Sequence, residues 1–122
     1  MANILVADVE QAIRSILTMV LQMAGHAVEA AANGEEVLRL VRKQKFDLIV
    51  TDIIMPKKEG IETILELKRL QPAIKVIAIS GGGRKGSMDF LHVAQMVGAS
   101  HTIAKPFEPD DLVAAVKNCL GT

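Results

Sequence analysis

The chain has 122 residues, of which 50% are hydrophobic and 2% aromatic, and its 14 basic and 14 acidic residues balance to a formal net charge of zero. That length suits one domain, covering residues 1–122, with a single core. A neutral chain without Trp or Tyr has neither the positive field nor the stacking surfaces that nucleic-acid binding uses. Direct nucleic-acid binding is therefore not expected.

Membrane insertion and secretion are not expected either. The longest apolar run, Leu112–Val116, is far shorter than the ~20 residues that a membrane-spanning helix needs. The N-terminal residues lead directly into a strand-like run without the basic region of a signal peptide. One cysteine, Cys119, fits a reducing compartment and is interpreted as a packing residue. These features favour a bacterial-type cytoplasmic protein.

The N-terminal half alternates between strand-like and helix-like patterns. Ile4–Ala7 is a short apolar run typical of a strand buried on both faces. Apolar residues then recur at helical spacing, and Gly25 stands where the C-terminal cap of that helix belongs. A weaker strand pattern follows at 26–31. Asn33-Gly34 is predicted to begin a second helix, because asparagine caps helices and two glutamates in the first turn suit the positive end of the helix dipole.

The C-terminal half continues the alternation. One helix must end before Pro72, and another is predicted from about Ser87 to Val97. The last helix is predicted to begin at Pro109 and to end at Leu120. The strand patterns of this half cover 46–51, 74–79 and 100–104. Five strands alternating with five helices predict an α/β fold, a three-layer sandwich of the flavodoxin-like (βα)5 type with parallel strand order 2-1-3-4-5.

Polar residues close four of the predicted strands, where ligands of open α/β sheets bind. Asp8 follows the first strand, with Glu10 two residues later, and Asp52 closes the third. Ser80 follows the fourth strand and Lys105 the fifth. Two carboxylates, a hydroxyl and an ammonium group are therefore predicted to converge at one edge of the sheet.

Together these motifs resemble the CheY-like receiver domain of response regulators in two-component signalling. The resemblance rests on Asp8 after Ile4–Ala7, on Asp52-Ile53-Ile54-Met55-Pro56, on Ser80 after Val76–Ile79, and on Lys105-Pro106-Phe107. It implies a phosphoacceptor in which Asp52 takes a phosphoryl group from a phosphohistidine of a sensor histidine kinase or phosphotransfer protein. It also implies a signalling protein rather than a classical enzyme, with self-catalysed phosphotransfer and slow autodephosphorylation.

The resemblance assigns roles to the remaining site residues. Mg²⁺ is expected to be held by Asp52, by Asp8 and by the backbone carbonyl of Ile54. Lys105 would pair with the phosphoryl group as a point charge, and Ser80 would hydrogen-bond a phosphoryl oxygen and draw its loop inwards. The surface formed by the predicted 87–97 helix, the fifth strand and the last helix is the expected contact for a downstream protein partner.

Two positions depart from the family pattern. Val9 stands where the family usually has a second acidic residue that ligates the metal, so weak Mg²⁺ binding is expected, with Glu10 as a candidate substitute ligand. Thr102 stands where the family usually has Tyr or Phe, so the usual rotating-ring switch is not expected. His101, its neighbour, is a candidate partner contact on the opposite face of the strand.

Rival interpretations follow from these departures and from one loop. Val9 and Thr102 favour a pseudo-receiver, a binding module that works without phosphorylation. The loop Gly81-Gly82-Gly83-Arg84-Lys85-Gly86 formally matches a dinucleotide fingerprint, but it follows the fourth strand rather than the first, so flexibility is the preferred interpretation. The six methionines stand mostly at helical core spacing and are predicted to be structural. A monomer or weak dimer is expected, either as a stand-alone protein or as part of a longer regulator.

Overall fold

The computed structural model describes residues 2–52, 59–80, 98–104 and 107–121. Within these ranges every predicted strand is confirmed to within two residues at each end, whereas the helix predicted at 87–97 lies outside them. The elements are β1 (Asn3–Ala7), α1 (Gln11–Met23), β2 (Ala27–Ala31), α2 (Gly34–Lys43), β3 (Leu48–Asp52), α3 (Glu59–Leu70), β4 (Lys75–Ser80), β5 (His101–Ala104) and α4 (Pro109–Leu120).

The five strands form one parallel sheet in the order β2-β1-β3-β4-β5. This is the predicted order, with β1 between β2 and β3. Because all strands run the same way, their carboxyl ends lie along one edge of the sheet, which is where the predicted site residues belong.

Alternate strand residues supply two separate cores, one on each face of the sheet. Leu5, Ile49 and Val76 pack with residues of α2 and α3 on one face. Ile4, Leu48 and Ile77 pack with residues of α1 and α4 on the other face. Helices therefore cover both faces, which confirms the predicted three-layer sandwich.

Local sequence signals set the helix ends. The side chain of Asn33 caps α2 by accepting a hydrogen bond from the backbone N–H of Glu36 at 3.0 Å. Gly25, just after α1, has a φ of 97°, a conformation that glycine adopts without the steric cost that a Cβ would add. Pro109 is the first residue of α4, as predicted, because a helix start requires no N–H there.

The structural prediction for the methionines is wrong at the two that lie in α1. Met19 and Met23 are 55% and 82% exposed, and Ile16 on the same helix is 45% exposed. Leu17 and Leu21 supply the buried side of α1 instead. Across the described ranges, no helix combines the length and the apolar character required to cross a bilayer.

Candidate functional site

The register of the central strands brings the two candidate acids to neighbouring positions. Ala7 on β1 pairs with Thr51 on β3, so Asp8 and Asp52 are the next residues on two adjacent strands. Adjacent strands lie about 4.8 Å apart. The two residues predicted to act together therefore sit side by side at the carboxyl edge of the sheet.

Both acids are buried. Asp8 is fully buried and Asp52 is 6% exposed, at the edge where parallel sheets bind ligands. Asp8 is held by its backbone N–H, which donates to the carbonyl of Ala31 at 3.2 Å. Its Oδ1 accepts the backbone N–H of Glu10 at 2.9 Å. Two neighbouring acids at the edge where open α/β sheets bind ligands are candidates for a functional site.

Arg14 supports the loop between β1 and α1 and was missed at the level of sequence. One guanidinium nitrogen donates to the carbonyl oxygens of Asp8 at 2.8 Å and of Val9 at 3.3 Å. Arg14 is the only charged residue of α1 and lies one turn inside the helix, within reach of the loop. This position is the sequence signal that could have revealed its role. Arg14 fixes the backbone that carries Asp8 into the site.

The other predicted site residues are described less completely. Asp52 pairs with Ile79 on β4, and Ser80 pairs with Ala104 on β5. The backbone of Ser80 therefore reaches the same edge as Asp52, and so does that of Ala104, the residue before Lys105. Lys105, Ile54 and the loop Gly81–Gly86 lie outside the described residues.

The described donors fit a cation only in part. Asp8 and Asp52 offer two carboxylates, the ligand type that Mg²⁺ prefers. Val9 is 47% exposed, and its isopropyl group offers no ligand atom. Glu10 is the exposed N-cap of α1, and its side chain does not cap that helix. Among residues 2–52, 59–80, 98–104 and 107–121, no three His, Cys, Asp or Glu side chains are grouped so as to hold a metal.

The two candidate output residues, His101 and Thr102, lie on β5. His101 pairs with Ile77 and is exposed, whereas Thr102 pairs with Ala78 and is partly buried. Their side chains leave opposite faces because strand residues alternate. His101 shares a surface depression with Asp111 and Asn118 of α4.

The far edge of the sheet holds a cavity of about 520 Å³ between the amino ends of β3 and β4 and the end of α4. Cys119 lines it and packs against the core on the α1 and α4 face. Burial raises the pKa of the Cys119 thiol, and the nearby Lys75 charge opposes that shift only partly. The thiol is thus kept protonated, which agrees with the predicted packing role.

The family of the chain follows from this edge of the sheet and from a match along the sequence. A family model described as the response regulator receiver domain matches residues 4–117, a range that contains all the candidate site residues. The chain belongs to the response regulator receiver domain family. Receiver domains are signalling modules rather than classical enzymes, they generally bind Mg²⁺ for phosphorylation, and they interact with histidine kinases and downstream effectors.

Relatives of this receiver include both long and short proteins. It is 34% identical over 121 residues to the DNA-binding transcriptional regulator NtrC of Azospirillum brasilense, covering 99% of the chain but 24% of that protein. It is 33% identical over 118 residues to sporulation initiation phosphotransferase F of Bacillus subtilis, covering 97% of the chain and 93% of that protein.

Solved structures agree with this assignment. The chemotaxis protein CheY4 of Vibrio cholerae superposes on this receiver with a TM-score of 0.86 at 28% identity. The match covers 98% of each chain. The predicted resemblance to a CheY-like receiver is thereby confirmed over essentially the whole receiver.

Proposed function

We propose that this receiver is a phosphoacceptor that takes a phosphoryl group on Asp52 from a phosphohistidine of a sensor histidine kinase or phosphotransfer protein. The observation that carries the proposal is the burial of Asp52 beside Asp8 at the carboxyl edge of the parallel sheet. A carboxylate oxygen of Asp52 attacks phosphorus, an O–P bond forms, and the N–P bond to the donor imidazole breaks. We propose that residues 1–122 perform this function as one receiver unit. The proposed compartment is the cytoplasm, where such donors act.

The chain's other site residues are assigned supporting roles. Asp8 and Asp52, with the backbone carbonyl of Ile54, would hold Mg²⁺, which supplies neutralising charge between the carboxylate and the phosphoryl oxygens. Lys105 would add a further positive charge, and Ser80 would hydrogen-bond a phosphoryl oxygen. Arg14 supports Asp8 through the loop backbone.

Val9 is proposed to weaken this metal site without abolishing it. An aspartate at position 9 would add a third carboxylate to the site, whereas the isopropyl group of valine offers no ligand atom. Glu10, which directly follows Val9, is a candidate substitute ligand, because its carboxylate is not engaged in capping α1. Phosphorylation slower than in a receiver with two adjacent acids follows from the weaker charge neutralisation.

The output is proposed to pass through protein contacts rather than through an aromatic switch. Thr102 is partly buried on β5 and has no ring to rotate, so the signal would be carried by the Ser80 loop. The exposed His101, beside α4, is a candidate contact for the downstream partner.

A second candidate function is a pseudo-receiver that binds partners without phosphorylation. The exposed Val9 at a metal-ligand position is the observation that favours it. Intact-mass measurement after incubation with acetyl phosphate and Mg²⁺ separates the two. We expect one phosphoryl adduct on the wild-type receiver, none on Asp52→Asn, and an unchanged adduct on the control Asp110→Asn, which alters an exposed acid of α4.

The intact-mass measurement distinguishes the phosphoacceptor from the pseudo-receiver whichever result is obtained. An adduct that persists in Asp52→Asn contradicts the assignment of the acceptor. The absence of any adduct on a folded wild-type receiver, at Mg²⁺ concentrations that saturate Val9→Asp, favours the pseudo-receiver instead.

A further inference from the structure

The cavity at the amino ends of β3 and β4, called here the amino-edge cavity, lies far from the proposed phosphoacceptor site. Asp47 stands just before β3 and Asp52 closes that strand, so the two ends of the strand are about 16 Å apart. The volume of about 520 Å³ is in the range of cavities that hold small molecules. Its described lining residues include none of those assigned to the phosphoacceptor site. The proposed function therefore leaves this cavity without a role.

Part of the lining of the amino-edge cavity is apolar. Phe46 and Ile74 form its buried part, whereas Leu70 and Leu120 are partly open to solvent. Leu70 is 37% exposed, and a ligand that covers apolar area in a concavity releases that area from water. This part of the lining suits the hydrocarbon portion of a ligand.

The polar groups of the lining are engaged with the protein, except for two ammonium groups. The carboxamide of Gln71 is hydrogen-bonded to backbone groups on both its nitrogen and its oxygen. The Asp47 carboxylate accepts the backbone N–H of Asn3 at 2.8 Å. Lys45 and Lys75 are exposed, and within the part of the chain that the structure describes neither forms an ion pair with a carboxylate. Two ammonium groups at the cavity are therefore open to an anionic ligand.

Lys75 lies on the side of the cavity that Cys119 occupies. Because side chains alternate along β4, Lys75 leaves the sheet on the same face as Ile77, which packs in the core on the α1 and α4 face. Cys119 packs against that same core. Burial raises the pKa of the Cys119 thiol, and the positive charge of Lys75 opposes that rise. The charge of Lys75 thus acts on a group that lines the cavity.

We propose that the amino-edge cavity binds a small organic anion with an apolar body, of the class of medium-chain carboxylates. Lys45 and Lys75 bind the carboxylate, and the apolar lining receives the hydrocarbon chain. The charge of the lining favours an anion, because two ammonium groups accompany a single carboxylate that is already hydrogen-bonded. Such a ligand gives the receiver a second input that does not involve Asp52.

Amide chemical shifts recorded by NMR during titration with octanoate test the proposal. Octanoate should shift the amide signals of Phe46, Lys75 and Cys119 with a dissociation constant on the order of 0.1–1 mM. The titration contains no phosphodonor, so its result does not depend on the proposed function. The absence of saturable shifts at these three amides up to about 10 mM octanoate overturns the proposal.

Three further compounds test the chemical class of the ligand. Acetate lacks the hydrocarbon chain, octanol lacks the charge, and octylammonium reverses the charge. Each should bind at least about tenfold more weakly than octanoate, because each loses one of the two contacts that the cavity offers. Octanol or octylammonium that binds as tightly as octanoate contradicts the assignment of an anion.

Two lysine variants separate a contact in the cavity from the general field of the protein. Lys45→Gln and Lys75→Gln should each weaken octanoate binding by about threefold to tenfold, because each removes one ammonium group from the lining. Lys117→Gln is the matched control, since it removes an exposed ammonium group of α4 that is not among the lining residues. It should bind octanoate like the wild type. With circular dichroism confirming that all three variants are folded, an equal loss in Lys117→Gln contradicts the proposal.

The one cysteine of the chain gives an independent measure of occupancy. Cys119 lines the cavity and is partly buried, so a bound hydrocarbon chain should shield its thiol. Saturating octanoate should slow alkylation by iodoacetamide by about threefold or more, whereas octylammonium at the same concentration should not. In Lys75→Gln the same octanoate concentration should slow alkylation less, relative to that variant without ligand. An alkylation rate that octanoate leaves unchanged places the ligand outside the cavity and overturns the proposal.

Discussion

Position 9 is where we propose that the receiver lacks a metal-binding carboxylate. Val9 is exposed beside two buried acids, so an aspartate there would add a carboxylate to the site from the solvent side. We expect Val9→Asp to bind Mg²⁺ at least about tenfold more tightly than the wild type. Isothermal titration with MgCl₂ measures the difference, and equal dissociation constants would rule out a weakened site.

The same substitution should carry a linked effect on stability. Three neighbouring carboxylates repel one another when no cation is present, so metal-free Val9→Asp should unfold more easily than the wild type. Mg²⁺ should narrow that difference, because it binds the folded state of the variant preferentially. Leu65→Asp, which adds a carboxylate on the exposed side of α3, should show no such dependence on Mg²⁺.

His26 ties the N-terminal segment to the loop before β2 and makes folding sensitive to pH. The backbone N–H of Ala2 donates to Nδ1 of His26 at 3.2 Å, which requires a neutral ring. Burial lowers the pKa of His26 from the usual 6.5, and the positive amino terminus lowers it further. The unfolded chain therefore binds this proton more readily than the folded one, and the free energy of unfolding should fall as pH drops below about 6.5.

Substitution of His26 isolates that contribution. His26→Gln keeps a possible acceptor for the Ala2 N–H but cannot titrate, so its urea midpoint should fall less than that of the wild type between pH 7 and pH 5. His101→Gln, at an exposed histidine of β5, should keep the wild-type dependence. If the urea midpoints of His26→Gln and the wild type changed identically with pH, the Ala2–His26 hydrogen bond would be excluded as the source of the pH dependence of stability.

At the level of elements, Gln71 joins segments that are distant in sequence. From the residue after α3, its Nε2 donates to the carbonyls of Val41 at 2.8 Å and Gln44 at 2.9 Å. Its Oε1 accepts the N–H of Phe46 at 3.0 Å. The side chain of Gln71 thus provides hydrogen-bond partners for backbone groups at the end of α2 and just before β3. These groups have no helical partner there.

Loss of this side chain should destabilise the whole receiver. We expect Gln71→Ala to lower the free energy of unfolding by about 2 kcal/mol, because three backbone groups lose their partner. Urea denaturation measures the change. Asn118→Ala removes an exposed carboxamide from α4 and should cost less than about 0.5 kcal/mol; a similar cost for both variants would contradict the role of Gln71.

The elements that sequence predicted well are those whose signals are local. Asn33, Gly25 and Pro109 mark helix ends because capping and backbone conformation depend on neighbouring residues alone. The apolar runs of β1 and β4 are strands buried on both faces, and their parallel direction follows from the alternation with helices. Asp8 and Asp52 could be predicted as neighbours for the same reason, since each directly follows such a run.

The features that sequence did not predict depend on contacts between distant residues. Gln71 and its partners at α2 are 27 and 30 residues apart, and His26 meets Ala2 across 24 residues. The exposure of Met19 and Met23 was missed because both faces of α1 are apolar, so helical spacing alone could not show which face the core covers.

On the scale of the whole molecule, the sheet separates two apolar cores and carries the candidate site on its rim. The α2 and α3 face and the α1 and α4 face share strands but no side chains. Because packed cores resist deformation, we expect a chemical change at Asp52 to reach the surface along the carboxyl edge of the sheet rather than through either core.

Two valine-to-alanine substitutions, one in each core, test whether the two cores are energetically independent. Val37 on α2 and Val116 on α4 are both buried, one in each core. Each change to alanine should lower the free energy of unfolding by about 1–3 kcal/mol through lost burial and a small cavity. Because the two sites share no contact, the double variant should show the sum of the single effects to within about 0.5 kcal/mol in urea denaturation. A larger departure from additivity would mean that strain passes through the sheet, and the two faces would then have to be treated as one core.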